Sequence, residues 1–406
     1  MITAKNQIFI AILYFLIAAS LGVILRVFPV VNVNATYKYL VHTHSHIALL
    51  GWVYISLTAL IFHLFIKKEA QKKYAILFWF TQVTLLGMLF SFPITGYALF
   101  SIIFSTLFLI CSYWFYAFFR KNNNCNKLSF SYKFVNTSLI IMIISSLGPW
   151  ALGFIMNTLG NTSHWYKNAI YFYLHFQYNG WFIFCLLGLF VYFLERKNIY
   201  IPQKKFFSFY RFMLISCFLT LFLSFRWMNP PKFISALATL GVIYQTVALY
   251  KFHIILMDVK IKTSKKLNSI SLKLFQFVYL LFVIKVALQF VVSIPYFAEI
   301  IAYLVDFVIG YLHLIFLGII SVSLFVFLTE FNLLWLSNFW IKIYLLGFIL
   351  SEILIIYKGF CNWQQLSIIN NYYLFLVIVS ALMPLAILMI LINNIKILFY
   401  KKSYYS

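Results

Sequence analysis

The sequence predicts an all-α integral membrane protein, a bundle of about 12 transmembrane helices. Of its 406 residues, 64% are hydrophobic and only 9% are charged, too few to cover the surface of a soluble protein of this length. Apolar runs of about 18 residues or more, each long enough to cross a bilayer as a helix, recur almost from end to end. The lipid bilayer is therefore the first partner that we predict.

The individual spans follow from hydropathy and from interruptions by Pro, Gly, Asn and clustered charges. They are predicted at 8–28, 42–66, 74–92, 97–119, 133–156, 169–194, 206–225, 231–252, 272–293, 298–329, 334–357 and 371–399. The first run continues into VNVNATYKY without a small-residue cleavage site, so we expect it to remain as a span. Because these spans fill the chain, we expect residues 1–406 to form a single polytopic membrane domain.

The positive charges indicate the orientation. Most of the 31 Lys and Arg residues fall on one side of a 12-span arrangement. Their clusters are KKEAQKK (67–73), RKNNNCNK (120–127), 195–205, KIKTSKK (260–266) and the final KK pair (401–402). Cytoplasmic loops are enriched in Lys and Arg, so both termini are predicted to be cytoplasmic. We expect the membrane to be the inner membrane of a bacterium. The net charge of +24 is explained by this topology, and we expect no nucleic-acid partner.

Five histidines lie where membrane spans rarely carry polar groups. His42, His44 and His46 open the second span, His175 lies about two turns into the sixth, and His313 lies in the tenth. In this topology all three sites fall in the outer half of the membrane. Imidazoles from facing helices suit haem iron or another metal ion such as zinc. They could equally satisfy one another or line a wet cavity, and the spacing leaves these readings open.

Two intramembrane charges form a second candidate cluster. Lys285 lies within the ninth span and Asp306 at the start of the tenth. Adjacent antiparallel spans would bring them together as an ion pair if Lys285 lies in the outer half. Such a pair would fix helix rotation or serve a proton path.

The stretches HTHSHIALLGW (42–52) and YLHLIFLG (311–318) resemble subunit I of haem–copper oxidases, closest to the nitric-oxide-reductase-like branch. The resemblance covers nearly the whole chain in topology and implies a low-spin haem held by a span-two histidine and His313. The family's span-ten pattern H-x-H has Tyr311 in place of its first histidine. In span six, HFQYNG keeps His175 and Gly180 but has Asn179 where the reductases have an acidic residue. Span seven (206–227) lacks the family's histidine pair.

The resemblance therefore implies a degenerate member with one low-spin haem b. Among the span-two candidates our order is His46, His44, His42, with Gly51 letting a porphyrin approach and Gly318 at the expected offset from His313. His175 and Tyr311 are weaker metal candidates. A tyrosinate could ligate a second haem, but we expect neither that haem nor copper or non-haem iron, because one imidazole cannot hold a catalytic metal alone.

The function implied by the resemblance is electron transfer, gas sensing or a role in a respiratory complex. The electron donor would be a quinol or a cytochrome, and small respiratory subunits could accompany the chain. One alternative is a twelve-span transporter or channel whose histidines line a polar cavity. Another is an active terminal oxidase or nitric-oxide reductase with an unusual metal site. Because the catalytic ligands are incomplete, the sequence leaves oxidoreductase activity open.

Overall fold

The prediction of a 12-helix membrane protein is confirmed by a computed structural model, which describes residues 2–228 and 230–403, with side chains up to residue 397. Within these residues, twelve helices are long and apolar enough to cross a bilayer. We number them as spans one to twelve: Ala4–Val27, Tyr37–Phe65, Lys68–Thr95, Leu99–Asn122, Phe130–Thr158, His164–Arg196, Gln203–Met228, Lys232–Ser264, Ser269–Val292, Val305–Glu330, Asn338–Trp363 and Tyr372–Ile397. The chain is thus a multi-pass membrane protein.

The helices cluster into two compact units. The first contains the residues up to Cys125 together with those from Leu324 onward, and the second runs from Asn126 to Ser323. His42, His44 and His46 belong to the first unit, and His175 and His313 to the second.

Two predicted spans are divided in the structure, and span eight runs to Ser264, beyond its predicted end at residue 252. Span five is interrupted at Ser146, between the helices Phe130–Ser145 and Leu147–Thr158. The interruption lies just before Gly148 and Pro149, where proline lacks the N–H that would continue the helical hydrogen bonds. The segment predicted as span ten begins with a separate short helix, Pro295–Tyr303, and the span itself starts after Leu304. The predicted segment was longer than one crossing needs because it contains both the short helix and the span.

Spans two, six and ten share a local structure. Each changes from α- to π-helix directly after a histidine, over Ile47–Tyr54, Phe176–Phe182 and Leu314–Ile320. Each π-helical stretch has a glycine five residues after that histidine, so the pattern H-x4-G occurs three times, four spans apart. Short π-helical stretches are rare and often mark functional positions. These three spans are also the most buried, at 89, 83 and 67%, against 22–44% for the others.

The glycines of this pattern permit close helix packing. A Cβ atom on Gly51 would lie 2.8 Å from Tyr14 of span one, and a Cβ on Gly180 would lie 2.3 Å from Ile141 of span five. In both cases the neighbour is the preceding span. The repeated glycine therefore has a packing role within each unit.

The start of span five is capped by a residue from another span. The Glu195 carboxylate, near the end of span six, accepts hydrogen bonds from the backbone N–H groups of Phe130 (3.0 Å) and Ser131 (3.2 Å). It also accepts one from the Ser131 hydroxyl. The first N–H groups of a helix have no partner within the helix, and a carboxylate there satisfies them and opposes the helix dipole.

We expect Glu195→Gln to lower the free energy of unfolding by about 1–2 kcal/mol, because the amide keeps one acceptor oxygen but loses the charge. Thermal unfolding of the purified protein in detergent would measure this loss. The matched control is Asp258→Asn, which breaks the exposed ion pair with Lys205 in the same unit and should cost less than about 0.5 kcal/mol. Equal effects of the two substitutions would contradict the capping role.

Candidate functional site

His46 has the hydrogen bonding of a metal-ligating histidine. Its Nδ1 lies 2.8 Å from the carbonyl oxygen of His42, and a carbonyl can only accept, so Nδ1 carries the ring proton. Nε2 is then the nitrogen with the lone pair, and the Tyr97 hydroxyl donates to it at 3.3 Å. Metal-bound histidines usually donate the other ring N–H to a carbonyl or a carboxylate in this way, which fixes the tautomer and the ring orientation.

Aromatic rings surround the His42 and His46 side chains. The His46 ring centroid lies 4.4 Å from that of Phe92 and 5.9 Å from that of Tyr97, and the His42 ring packs edge-on against Tyr97 at 4.6 Å. Tyr97 is positioned by the turn between spans three and four, where Gly96 has a φ of +61°. A Cβ on Gly96 would lie 2.4 Å from the Tyr39 ring, so glycine is required there for both conformation and space.

His44 faces span one. Its Nδ1 lies 2.8 Å from the carbonyl oxygen of Ala18, and its ring lies against Gly22, where a Cβ would be 3.1 Å from the imidazole Cε1. The two histidines therefore have different neighbours, in agreement with the helical geometry that prevents both from reaching one iron. Like His46, His44 donates its Nδ1–H to a backbone carbonyl and so has the tautomer that coordinates through Nε2.

His175 is bonded at both ring nitrogens. Nε2 lies 2.8 Å from the carbonyl oxygen of Cys217, so it carries the proton, and Nδ1 accepts from the Asn179 amide at 3.2 Å. Cys217 lies three residues before span seven changes from α- to 3₁₀-helix at Thr220. To bind a metal, His175 would have to give up one of these bonds, and the ring is only 2% exposed.

The span-ten candidates lie at the start of its π-helical stretch. His313 is the last residue of the α-helical part, and Gly318 is buried in the stretch that follows. The Tyr311 ring is 6.4 Å from that of Tyr178 in span six. Tyr178 and Phe182 of span six both pack edge-on against Phe316, which lies three residues after His313 in span ten. Aromatic rings therefore line the contact between these two spans.

The His46 imidazole presents the kind of donor atom that haem iron takes from a protein. Haem iron takes two axial ligands from the protein, and His46 offers a supported imidazole with its lone pair on Nε2. Within the described ranges, no group of three His, Cys, Asp or Glu side chains could hold a metal ion. The space at Gly51 that we assigned to a porphyrin is filled by Tyr14 of span one.

Three features were missed by sequence reasoning. The threefold H-x4-G pattern is visible in the sequence, but its meaning depends on the π-helical stretches. Apart from the glycine before it, nothing in the sequence marked Tyr97 as a residue of the site. Lys285 has the Cys217 thiol and the His175 imidazole as electrostatic neighbours, which we did not expect, and its pair with Asp306 stays a prediction. Hydropathy gives the position of Lys285 along the membrane but not the direction of its side chain.

No protein-family model matches the chain, and no curated protein matches it.

Proposed function

We propose that this chain is a haem-binding membrane protein similar to subunit I of haem–copper oxidases, with one low-spin b-type haem and without the two-metal catalytic centre. The observation that carries the proposal is the His46 imidazole, whose Nδ1–H is held by the His42 carbonyl and whose Nε2 has the lone pair. The second axial ligand, implied by the resemblance, is His313. A bound haem would supply one-electron redox chemistry.

Electron transfer is the role that best fits these ligands. When two histidines occupy both axial positions, the iron has no open position for oxygen or nitric oxide. In His175 the ring proton is on Nε2, which donates to the Cys217 carbonyl, and this supports a proposal in which His175 holds no metal through that nitrogen. The donor would be a quinol or a cytochrome, and small respiratory subunits could be present, in the inner membrane of a bacterium with both termini cytoplasmic.

The proposal is tested by the reduced-minus-oxidised spectrum of protein purified from a haem-sufficient host. We expect a low-spin b-type spectrum with about one haem per chain, because one pair of axial imidazoles is available. His313→Ala should abolish that spectrum. Wild-type protein that is folded but contains no haem would contradict the proposal.

A second candidate function is transport. Its support is the set of buried polar groups around Lys285, which a purely structural helix bundle would not need. Oxygen or nitric-oxide consumption by the purified protein would instead indicate an active oxidase or reductase.

A further inference from the structure

Three cations of the second unit surround one part of span seven, near its start. The Lys133 ammonium of span five lies 4.7 Å from the centroid of the Phe207 ring. The Lys251 ammonium of span eight lies 5.1 Å from the centroid of the Phe212 ring. Arg211 belongs to span seven itself, one turn after Phe207 and directly before Phe212, so all three cations lie at a similar depth. We call Lys133, Arg211 and Lys251 the Arg211 patch.

Arg211 lies on the exposed face of span seven. Exposed side chains recur along this helix at intervals of seven, four and three residues, which places them on one side: Lys204, Arg211, Ile215 and Phe218. Ile215 is 45% and Phe218 41% exposed, so this side of a membrane-spanning helix faces lipid. Arg211 is eight residues, about 12 Å, from the start of the span at Gln203. A lipid-facing cation at this position extends its charged end towards the headgroups.

Contacts between the spans hold the patch together. The Thr137 and Tyr210 hydroxyls share a hydrogen bond of 2.7 Å that joins spans five and seven. The Lys133 ammonium also lies 5.6 Å from the centroid of the Tyr210 ring. On the other flank, Phe209 of span seven stacks on Phe252 of span eight, with ring centroids 5.1 Å apart. A ligand therefore meets cations whose helices are already in position, which lowers the cost of ordering them.

The patch has no ion pair with a described carboxylate. The second unit has four carboxylate residues in its sequence. Glu195 caps span five, and Asp258 pairs with Lys205. Glu299 and Asp306 follow the far end of span nine, on the opposite side of the membrane from the start of span seven. Three positive charges beside a lipid-facing surface therefore favour an anionic ligand that comes from the bilayer.

We propose that the Arg211 patch binds the headgroup phosphate of an anionic phospholipid, with Arg211 as the central ligand and the acyl chains along Ile215 and Phe218. A guanidinium and a phosphate form strong, often bidentate, charge-assisted hydrogen bonds. Basic pockets between membrane helices are suited to such headgroups. Charge alone would attract a soluble phosphate as well, but the exposed apolar side chains deeper in span seven fit a ligand with acyl chains. The site does not depend on haem.

The test is lipid-dependent stability of the purified full chain in detergent. The melting temperature should rise as phosphatidylglycerol replaces phosphatidylcholine, since a ligand that binds only the folded state stabilises it. Arg211→Gln should raise the phosphatidylglycerol concentration needed for half of this rise by about fivefold or more, whereas Arg211→Lys should retain most of the response. The control is Lys273→Gln, which removes an exposed lysine near the start of span nine and should leave that concentration unchanged.

Native mass spectrometry provides a second measurement, because it counts the phospholipids that stay bound. Wild-type protein should retain more phosphatidylglycerol than Arg211→Gln, and Lys133→Gln should also lose part of it with Arg211 intact. Glycerol phosphate, which has the headgroup without the chains, should not stabilise the protein. Equal stabilisation by glycerol phosphate would indicate a site for soluble phosphate and would overturn the proposal. Equal losses in Arg211→Gln and Lys273→Gln would indicate general charge attraction and would overturn it too.

Discussion

Replacing His46 by alanine is expected to remove the low-spin haem spectrum from otherwise folded protein. The Nδ1–H of this side chain is held by the His42 carbonyl, which fixes the direction of the lone pair on Nε2, and a bound iron would take the place of the Tyr97 hydroxyl there. Losing a supporting residue of a metal ligand typically costs about 10–100-fold in affinity, so losing the ligand itself should cost more. Haem content per chain and the reduced-minus-oxidised spectrum measure the effect.

The neighbouring histidines provide matched controls for this prediction. His42→Ala and His44→Ala should leave a haem spectrum, since His42 supports His46 through its backbone carbonyl and His44 faces Ala18. Added imidazole should partly restore the spectrum of His46→Ala by filling the vacated position. His175→Ala should keep the haem and lose stability. If the haem spectrum were lost in His44→Ala and kept in His46→Ala, His44 and not His46 would be the axial ligand.

The spans could be predicted from sequence because hydropathy is a local property. The interruptions at Ser146 and Leu304 lie inside continuous apolar segments, so boundary predictions based on hydropathy missed them. Side-chain partners were harder still. The neighbours of Lys285 depend on the rotation of span nine, which is set by packing against other spans and not by the residues of span nine alone.

The same limit applies to the histidines. Their type and spacing suggested imidazole ligands, but the proton position on His46 and His175 depends on which backbone carbonyl lies beside each ring. For His46 the carbonyl belongs to His42 of the same helix, and for His175 it belongs to Cys217 of span seven. The two residues therefore look equivalent in the sequence pattern H-x4-G, yet the acceptor nitrogen is Nε2 in His46, where Tyr97 donates to it, and Nδ1 in His175, where Asn179 does.

Gly241→Ala is expected to disrupt the second unit severely. A Cβ at this position of span eight would lie 2.7 Å from the backbone carbon of Leu219 and 2.7 Å from the backbone nitrogen of Thr220. A side chain could rotate away from such a contact, but a helix backbone must move as a whole. We therefore expect a loss of about 3 kcal/mol or more in the free energy of unfolding, or no folded protein.

Gly153→Ala is the matched control, because a Cβ on Gly153 has no atom within 4 Å and alanine is the better helix former. Its stability should equal or exceed that of wild type by up to about 1 kcal/mol. Folded yield by gel filtration and thermal unfolding would compare the two variants. A well-folded Gly241→Ala with unchanged stability would mean that spans seven and eight are not in this close contact. Thr220 also begins the 3₁₀ stretch just after Cys217, so displacing it should weaken the bond from His175 as well.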